Sequence, residues 1–254
     1  MRNENNIVYT VAGEQHLSQL KLLWLTCFPE DSSADVDRFY DRLFSSIICL
    51  VGLINEQPVT VLHLLPARAY LHGVSYPVRY LSAGATHPDH RKRGYYAALL
   101  QYARSYVERI GECGIYLHPA TERLIPLYKQ AGYADFIVAG VPQPLIGKER
   151  PITLSAADYA KRRQEHIQRL AGDTVYFEPQ PDVSEWFITG LFREGSSLYI
   201  DDGHLLLVKE GMTIDTLPPI AETYQTAMWL ETRDEPLFSQ AMHVNGGYTA
   251  LLGE

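Results

Sequence analysis

The stretch that decides the fold is His87-Pro88-Asp89-His90-Arg91-Lys92-Arg93-Gly94-Tyr95-Tyr96-Ala97-Ala98-Leu99-Leu100. An apolar run typical of a strand, Tyr80 to Thr86, precedes it, and a helical pattern follows. Three cations and a glycine occupy the turn between these elements. A turn of this kind directs backbone N–H groups and the positive end of a helix dipole at a polyanion. The sequence therefore predicts an anion site around Gly94.

The bulk composition is that of a globular protein with an acidic balance. The 254 residues suffice for one large domain or two small ones, with 46% hydrophobic and 20% charged residues. The formal net charge of −8 argues against general nucleic-acid binding, which depends on a basic surface. We therefore expect no nucleic-acid partner. An acidic body favours a cationic acceptor over an anionic one.

The sequence gives no sign of a membrane segment, a disulfide framework or a metal centre. The first twenty residues lack the apolar core of a signal peptide, and the longest apolar run, Ile47 to Ile54, is too short to span a bilayer. Cys27, Cys49 and Cys113 are far apart and odd in number, which favours a reducing, cytoplasmic setting. Neither C-x-x-C nor H-E-x-x-H occurs, so we expect no metal.

Hydrophobic periodicity predicts a mixed α/β (α+β) fold around the basic turn. The predicted strands are 7–11, 47–54, 58–71, 74–86, 115–117 and 136–141, and the predicted helices are 14–27, 32–44, 96–110 and 121–130. Ser32 with Asp35 resembles a capping box at the start of the second helix. Asn55-Glu56 and His72-Gly73 supply turns between strands 47–86, which predicts an antiparallel meander.

A segment rich in proline and glycine divides the chain into two predicted domains. We place a first domain at 1–141, a linker at 142–152 and a smaller α/β domain at 153–254. Within the last, we predict helices at 155–172 and 183–192, and strands at 175–177, 198–200, 205–208 and 212–217. Trp24, Trp186 and Trp229 are expected to pack in a core or at an interface. An exposed Trp229 would suit an interface, which leaves a homo-oligomer open.

The predicted anion site fits the chemistry of a coenzyme A thioester. Its pyrophosphate needs N–H donors and positive charge, and its pantetheine arm needs a strand edge with free backbone groups. The order Arg91-Lys92-Arg93-Gly94-Tyr95-Tyr96 resembles the [Q/R]-x-x-G-x-[G/A] signature of the GNAT superfamily of acetyltransferases. Downstream, Leu127-Tyr128-Lys129-Gln130-Ala131-Gly132-Tyr133 resembles that family's F-Y-x-x-x-G-F segment.

This resemblance implies a fold and an activity. The fold would be a central mixed, largely antiparallel sheet flanked by helices. The activity would be transfer of an acetyl group from acetyl-CoA to a primary amine, carried by a small molecule or a peptide. The long excursion from Pro58 to Gly84 and the second α/β region resemble the enhanced-intracellular-survival (Eis-like) subgroup, which has a degenerate second GNAT-like domain.

The resemblance also implies residue roles. The backbone of Gly84, Ala85 and Thr86 would pair with pantetheine, Thr121 would border it, and Tyr128 would protonate the leaving thiolate. The pyrophosphate would be lined by Arg91, Lys92, Arg93, Gly94, Tyr95, Tyr96 and Ala97. Tyr96 departs from the Gly or Ala of the pattern. Its side chain would either crowd the pyrophosphate or point into the core.

Two questions stay open at the level of sequence. No carboxylate announces itself as the base that deprotonates the amine, and the candidates are Glu30, Asp31, His118, Glu122 and Glu254. The unusual Tyr96 and the missing base also allow a non-catalytic acyl-CoA-binding or regulatory module of the same fold. A third alternative is a structural domain with no affinity for coenzyme A.

Overall fold

The chain forms two compact units in the computed structural model. The structure describes residues 6–138, 152–153, 155, 158, 161, 175–193, 197–201, 204–208, 225–232, 238 and 247–249. Unit 1 comprises residues 1–67, 76–135 and 227–236, and unit 2 comprises residues 68–75, 136–226 and 237–254.

Unit 1 begins with a strand and two helices. Strand β1 covers Val8–Val11, a 3-10 turn at Glu14–His16 leads into helix α1 (Leu17–Cys27), and helix α2 covers Ser33–Leu43. The Ser32 hydroxyl accepts a hydrogen bond from the Asp35 N–H at 3.1 Å. This bond satisfies one of the donors left over at a helix start. It confirms the predicted cap.

Among the described residues of unit 1, six strands follow one another in a sheet. In spatial order they are β1, β2 (Ile48–Ile54), β3 (Gln57–Leu71), β4 (Val74–Thr86), β5 (Gly114–Leu117) and β11 (Gln225–Glu231). The pairs β1–β2, β2–β3 and β5–β11 are antiparallel, whereas β4–β5 is parallel. The expected mixed, largely antiparallel sheet is confirmed.

The two predicted hairpin turns are present. Asn55 and Glu56 have φ values of 49° and 65°, and His72 and Gly73 have φ values of 50° and 75°. Two successive positive φ values are the mark of the two-residue turn whose twist matches that of antiparallel strands. The meander of β2, β3 and β4 predicted from these dipeptides is therefore confirmed.

The chain after the meander alternates helix and strand. Helix α3 covers Tyr95–Arg109, a 3-10 turn at Glu122–Leu124 precedes helix α4 (Ile125–Gln130), and strand β6 covers Ala134–Val138. The Arg79 guanidinium donates two hydrogen bonds of 2.6 Å to the Glu112 carboxylate. This bidentate pair joins β4 to the segment between α3 and β5.

The core of unit 1 lies between α3 and the sheet. Leu99, Leu100, Ala103 and Val107 form the buried stripe of α3. They pack with sheet residues Leu50, Leu62, Leu64, Leu81, Ile115, Leu117, Met228 and Leu230. Each such side chain contributes on the order of 1.5–3 kcal/mol through burial, so this face fixes how α3 lies on the strands.

Strand β11 brings residues from the C-terminal half of the sequence into the sheet of unit 1. Met228 is the register partner of Leu117, and Trp229 is that of Tyr116. The expectation that Trp229 is exposed is wrong, because only 1% of it is accessible. Its indole covers Gly114, where an added Cβ would lie 2.2 Å from Trp229 Cη2. The indole is therefore a core group of unit 1.

Unit 2 is also mixed α and β. Its described elements are β7 (Ile152–Thr153), β8 (Val175–Pro179), helix α5 (Pro181–Arg193), β9 (Ser197–Asp201), β10 (His204–Val208) and β12 (Gly247–Thr249). Strand β9 pairs antiparallel with β10 and with β7, while β12 pairs parallel with β8. The ring of Tyr70 stacks on that of Tyr176 at 4.7 Å.

Several predictions for the second half fall outside the described residues. These are the strand at 212–217, the helix at 155–172 beyond its first turn, and the linker at 142–152 except Ile152. The Asp158 N–H donates to the Ser155 hydroxyl at 3.1 Å, as expected at that helix start. The limits of the two predicted domains stay a prediction. None of the described helices combines the length and apolar character that crossing a bilayer requires.

Candidate coenzyme site

The basic turn is fastened to the sheet before α3 begins. The His87 N–H donates to the Val59 carbonyl at 2.9 Å, which extends the pairing of β3 and β4 by one residue. A 3-10 turn follows at Pro88–His90. The Arg91 Nε then reaches back to the Thr86 carbonyl at 3.0 Å. These contacts hold the turn in one geometry at the end of β4.

The start of α3 leaves backbone donors without helical partners. Gly94 is the N-cap residue and has a left-handed backbone with φ 78°. The Ala98 N–H donates to the Gly94 carbonyl, which makes it the first intrahelical bond. The N–H groups of the three residues between them, at 95–97, therefore have no acceptor within the helix.

The start of α3 is open at Gly94, and no acidic residue lies in its first turn. A Cβ added at Gly94 would meet no atom within 4 Å. The first turn of α3 carries no acidic residue, and Lys92 and Arg93 are both exposed. Free N–H groups, the helix dipole and two cations make this a place where an anion is stabilised.

Strand β4 has a free edge just before the turn. On β5, Ile115 is the register partner of Arg79 and Tyr116 is that of Tyr80, and β5 ends at Leu117. Strand β4 itself continues to Thr86, and Ala83 within it has φ 45°. A positive φ inside a strand marks a bulge, which turns the strand and ends regular pairing. The last residues of β4 can therefore pair with an extended ligand.

Hydrogen bonds on either side of β4 show which backbone groups face the free edge. The Ala85 carbonyl accepts from the Thr60 hydroxyl on β3 at 3.0 Å, so Ala85 faces β3. Alternation along a strand turns the backbone of Gly84 and Thr86 the other way. The Thr86 carbonyl accepts from Arg91 and from the Cys27 thiol at 3.5 Å. Of the predicted group 84–86, Gly84 is thus the residue whose backbone turns away from β3 toward the free edge.

A buried histidine lies beneath the bulge. The His63 Nδ1 is 3.3 Å from the Ala83 carbonyl, and its Nε2 is 3.0 Å from the Tyr40 hydroxyl. Since a carbonyl only accepts, Nδ1 carries the proton and Nε2 accepts from Tyr40. Burial lowers the pKa of His63 to about 4, so the ring is neutral at neutral pH. His63 therefore holds the bulge as a neutral donor.

Two tyrosines from different helices meet next to Gly84. Tyr96 comes from the first turn of α3 and Tyr128 from α4, and their hydroxyl oxygens are 3.4 Å apart. A Cβ added at Gly84 would lie 2.0 Å from the Tyr96 hydroxyl and 2.8 Å from its Cζ. The Tyr96 ring thus occupies the space that a side chain at 84 would need. It packs against the core of unit 1 rather than over the turn.

The sequence profile of a known family matches this half of the chain. The profile is described as Acetyltransferase (GNAT) domain and covers residues 9–135, from β1 into β6. The chain belongs to the GNAT acetyltransferases. No curated protein sequence matches it significantly. The turn, the free edge of β4 and the tyrosine pair all lie within the matched residues.

Solved structures with low sequence identity share the GNAT fold. A probable N-acyltransferase from Enterococcus faecalis has a TM-score of 0.62 and 14% identity, with 94% of this chain and 62% of that chain covered. A GCN5-related N-acetyltransferase from Anabaena variabilis has a TM-score of 0.65 and 15% identity, with 90% of this chain and 73% of that chain covered. Eis1 from Mycobacterium abscessus has a TM-score of 0.54 and 14% identity, with 80% of this chain and 53% of that chain covered. The chain therefore spans less than two thirds of the first and third of these proteins.

In this GNAT chain, Tyr128 is a buried phenol that keeps its proton. Only 6% of the residue is accessible. Burial raises the pKa of Tyr128, while the hydrogen bond with Tyr96 opposes that rise. A phenol with a raised pKa is protonated at neutral pH, which is the state that a general acid requires.

The remaining predicted residues differ in how they are held. Thr121 is exposed, and its side chain makes no capping hydrogen bond at the 3-10 turn that precedes α4. Burial lowers the pKa of His118, just after β5, to about 4. Glu30, Asp31 and Glu122 are exposed, and Glu254 lies outside the described residues. No three His, Cys, Asp or Glu side chains of the described part could hold a metal ion together.

Sequence reasoning missed the groups that hold the bulge and the tyrosine pair. His63 sits in a continuous apolar strand pattern, and a polar residue in such a run is the one signal that marks it. The dependence of Gly84 on Tyr96 had no signal, because the two residues meet only through the packing of α3 on β4. The ring of Tyr133 packs against that of Tyr128 at 5.7 Å but makes no hydrogen bond to either tyrosine of the pair among the described residues.

Proposed function

We propose that the chain is an acetyl-CoA-dependent N-acetyltransferase that acts on a primary amine. The observation that carries the proposal is the sequence of three features within unit 1. A free strand edge at Gly84 leads to the open helix start at Gly94. The buried, protonated Tyr128 contacts the Tyr96 hydroxyl, which itself lies against Gly84. An extended acyl donor with an anionic end needs this order of groups.

The described residues fit coenzyme A. The N–H groups at 95–97, with Lys92 and Arg93, would hold the pyrophosphate, because donors and cations are what a diphosphate requires. Arg91 would contribute through its terminal nitrogens, since its Nε is bonded to Thr86. The outward backbone of Gly84 would pair with pantetheine. Thr121, at the exposed start of the next turn, would border that arm.

The chemistry assigned to the protein is mainly positioning and proton transfer. Acetyl-CoA, when bound, supplies an acetyl group activated as a thioester. Tyr128 gives its proton to the departing sulfur, which lowers the cost of expelling a thiolate. The Gly84 N–H faces the free edge and can stabilise negative charge on the thioester oxygen. The base for the amine stays open, and neutral His118 is already in the protonation state that a base needs.

The wider assignment rests on the same fold. We infer that the chain is a member of the Eis-like subgroup whose second domain, at 153–254, is a degenerate GNAT-like domain. The long β3–β4 hairpin and the mixed α/β character of unit 2 support this inference. The three cysteines form no disulfide, which agrees with a cytoplasmic location.

Thiol release from acetyl-CoA tests the proposed activity. The assay offers a panel of primary amines, namely a polyamine, an aminoglycoside, free lysine and a peptide N-terminus. We expect turnover with at least one of them, and a loss of about 100-fold in kcat for Tyr128→Phe. Calorimetric affinity for acetyl-CoA should stay within about twofold in that variant, because the phenol acts on the leaving group and not on the ground state.

The matched control is Tyr133→Phe, which removes a buried hydroxyl from the adjoining ring and should leave kcat nearly unchanged. Binding of acetyl-CoA without turnover on any amine would instead favour the non-catalytic acyl-CoA-binding module. Absence of both binding and turnover would favour the structural domain.

A further inference from the structure

The position of the Tyr96 hydroxyl is not explained by the role of the Tyr96 N–H at the start of α3. The N–H of residue 96 belongs to the open start of α3, but its side chain runs back under β4. There it lies against Gly84 and reaches the Tyr128 hydroxyl at 3.4 Å. A phenylalanine would fill nearly the same volume. The oxygen at the end of this ring therefore calls for a separate explanation.

The surroundings of the two hydroxyls indicate which one donates. Burial and the neighbouring Tyr128 both raise the pKa of Tyr96, so it holds its proton more firmly of the two. The bond from Tyr96 acts in the opposite sense on the pKa of Tyr128. A donor that keeps its proton stabilises a neighbour that loses one. Tyr96 is therefore the donor in the pair when Tyr128 is ionised.

The third phenol of the group lacks such a partner. The Tyr133 hydroxyl is buried and has no hydrogen-bond partner among the described residues. Burial raises the pKa of Tyr133, with a smaller effect from Tyr128. Its ring meets that of Tyr128 edge-on, at 5.7 Å and 67°. Tyr133 thus packs against the pair without donating to it, which makes it the natural control.

We propose that Tyr96 is a positioning residue for the acid, whose O–H orients the Tyr128 hydroxyl and stabilises its phenolate. This proposal rests on the proposed function, because it deepens the role of Tyr128 in acetyl transfer. It also explains why a bulky residue stands where the family signature has Gly or Ala. The ring of Tyr96 occupies the space where a side chain of residue 84 would lie, and that space is available because residue 84 is glycine.

In acetyl transfer, each bond that forms is matched by one that breaks. The amine nitrogen forms a bond to the acetyl carbon, and the carbon–sulfur bond breaks with its electron pair going to sulfur. The Tyr128 O–H bond then breaks, and its proton goes to that sulfur. Tyr96 donates to the resulting phenolate and keeps its own proton. The proton released by the acylated amine returns to Tyr128 through solvent, so neither tyrosine is consumed.

A double-mutant cycle on the full chain tests the proposal. The variants are Tyr96→Phe, Tyr128→Phe and the double variant, and the readouts are kcat, KM for acetyl-CoA and the unfolding midpoint. We expect Tyr96→Phe to lower kcat about 5-fold, which is the effect of one neutral hydrogen bond. KM should change less than about twofold, because the coenzyme is held by the backbone and the cations.

The decisive result is the lack of additivity. In the Tyr128→Phe background, Tyr96→Phe should lower kcat by less than about twofold, since the group that it serves is gone. A merely structural Tyr96 would instead lower kcat by the same factor in both backgrounds. Tyr133→Phe should leave kcat within about twofold and keep or raise the unfolding midpoint, because it removes an unsatisfied hydroxyl.

Different results would overturn the proposed function and the role of Tyr96. If the wild-type chain releases no thiol with any amine, the proposed function fails and takes this inference with it. If the wild type is active but the effects of Tyr96→Phe and Tyr128→Phe multiply, only the inference fails. A rise in KM with unchanged kcat would also overturn it, because that pattern would place the Tyr96 hydroxyl in coenzyme binding.

Discussion

The basic turn and the tyrosine pair lie at the same end of α3, yet they are built in opposite ways. The turn is local, because its cations, its left-handed Gly94 and its free N–H groups come from one continuous stretch. The tyrosine pair joins Tyr96 of α3 to Tyr128 of α4 beside Gly84 of β4, and these residues meet only because the three elements pack together. Groups that bind an anion can therefore come from one short stretch of sequence, whereas groups that set the protonation of a catalytic residue depend on the packing of the whole fold.

The largest effect is expected from adding one methyl group to the assembled region, which comprises the tyrosine pair, Gly84 and the bulge above His63. Gly84→Ala would place a Cβ 2.0 Å from the Tyr96 hydroxyl, so the ring or the strand must move. A shift of about 1 Å near reacting atoms costs on the order of 100-fold in rate. We expect kcat/KM to fall by about that factor in a steady-state thiol-release assay.

The same substitution should be tolerated once the ring is removed. In a Tyr96→Ala background, we expect Gly84→Ala to lower kcat/KM by less than about threefold, because the two positions are coupled through one clash. An equal loss in both backgrounds would show that Gly84 is needed for another reason, such as its backbone conformation, and would separate it from Tyr96.

Acid should weaken the assembled region through His63. Its pKa is about 4 in the folded chain and near 6.5 when unfolded, so the unfolded chain binds more protons between these values. Stability is therefore full above pH 6.5 and is lost as the pH falls toward 4. From pH 7 to pH 5, we expect a loss of about 2 kcal/mol from this group. Urea unfolding can be followed by the fluorescence of Trp24, whose ring lies 5.3 Å from His63.

The control for this pH dependence is His63→Asn, whose amide can still donate to Ala83 but does not titrate. The variant's own stability is not the readout. Its loss between pH 7 and pH 5 should be smaller than that of the wild type by about 2 kcal/mol. An unchanged difference would assign the acid sensitivity to other groups, among them His118.

The contrast between the two regions also explains what the sequence could predict. The turn at 87–97, the caps and the hairpin turns are set by neighbouring residues, so their patterns are readable in one dimension. Strand β11 was missed because the short apolar run Ala227–Leu230 has no turn signal that links it to β5. Trp229 was misjudged for the same reason, since its burial depends on Gly114, more than a hundred residues earlier.

Charge reversal in the turn should have a smaller effect, and on binding alone. For Lys92→Glu with Arg93→Glu, we expect the affinity for acetyl-CoA in calorimetry to fall about 10-fold at low salt, and less at high salt because exposed charges are screened. The kcat should stay within about twofold. Arg109→Glu makes the same kind of change at the other end of α3 and should leave the affinity nearly unchanged. A drop in kcat without a change in affinity would contradict the division of roles.

The smallest effect is expected at Gly94, and it sharpens the comparison with Gly84. Gly94 has φ 78° and open space around it, so its requirement is conformational, whereas the requirement at Gly84 is steric. Gly94→Ala should cost about 1 kcal/mol in unfolding free energy, since an L residue resists the left-handed region. Gly94→Asn should cost less, because asparagine tolerates that region. At position 84 the order must reverse, with Asn worse than Ala, because only size matters there. If Ala and Asn ranked alike at both positions, the two glycines would not serve different physical needs.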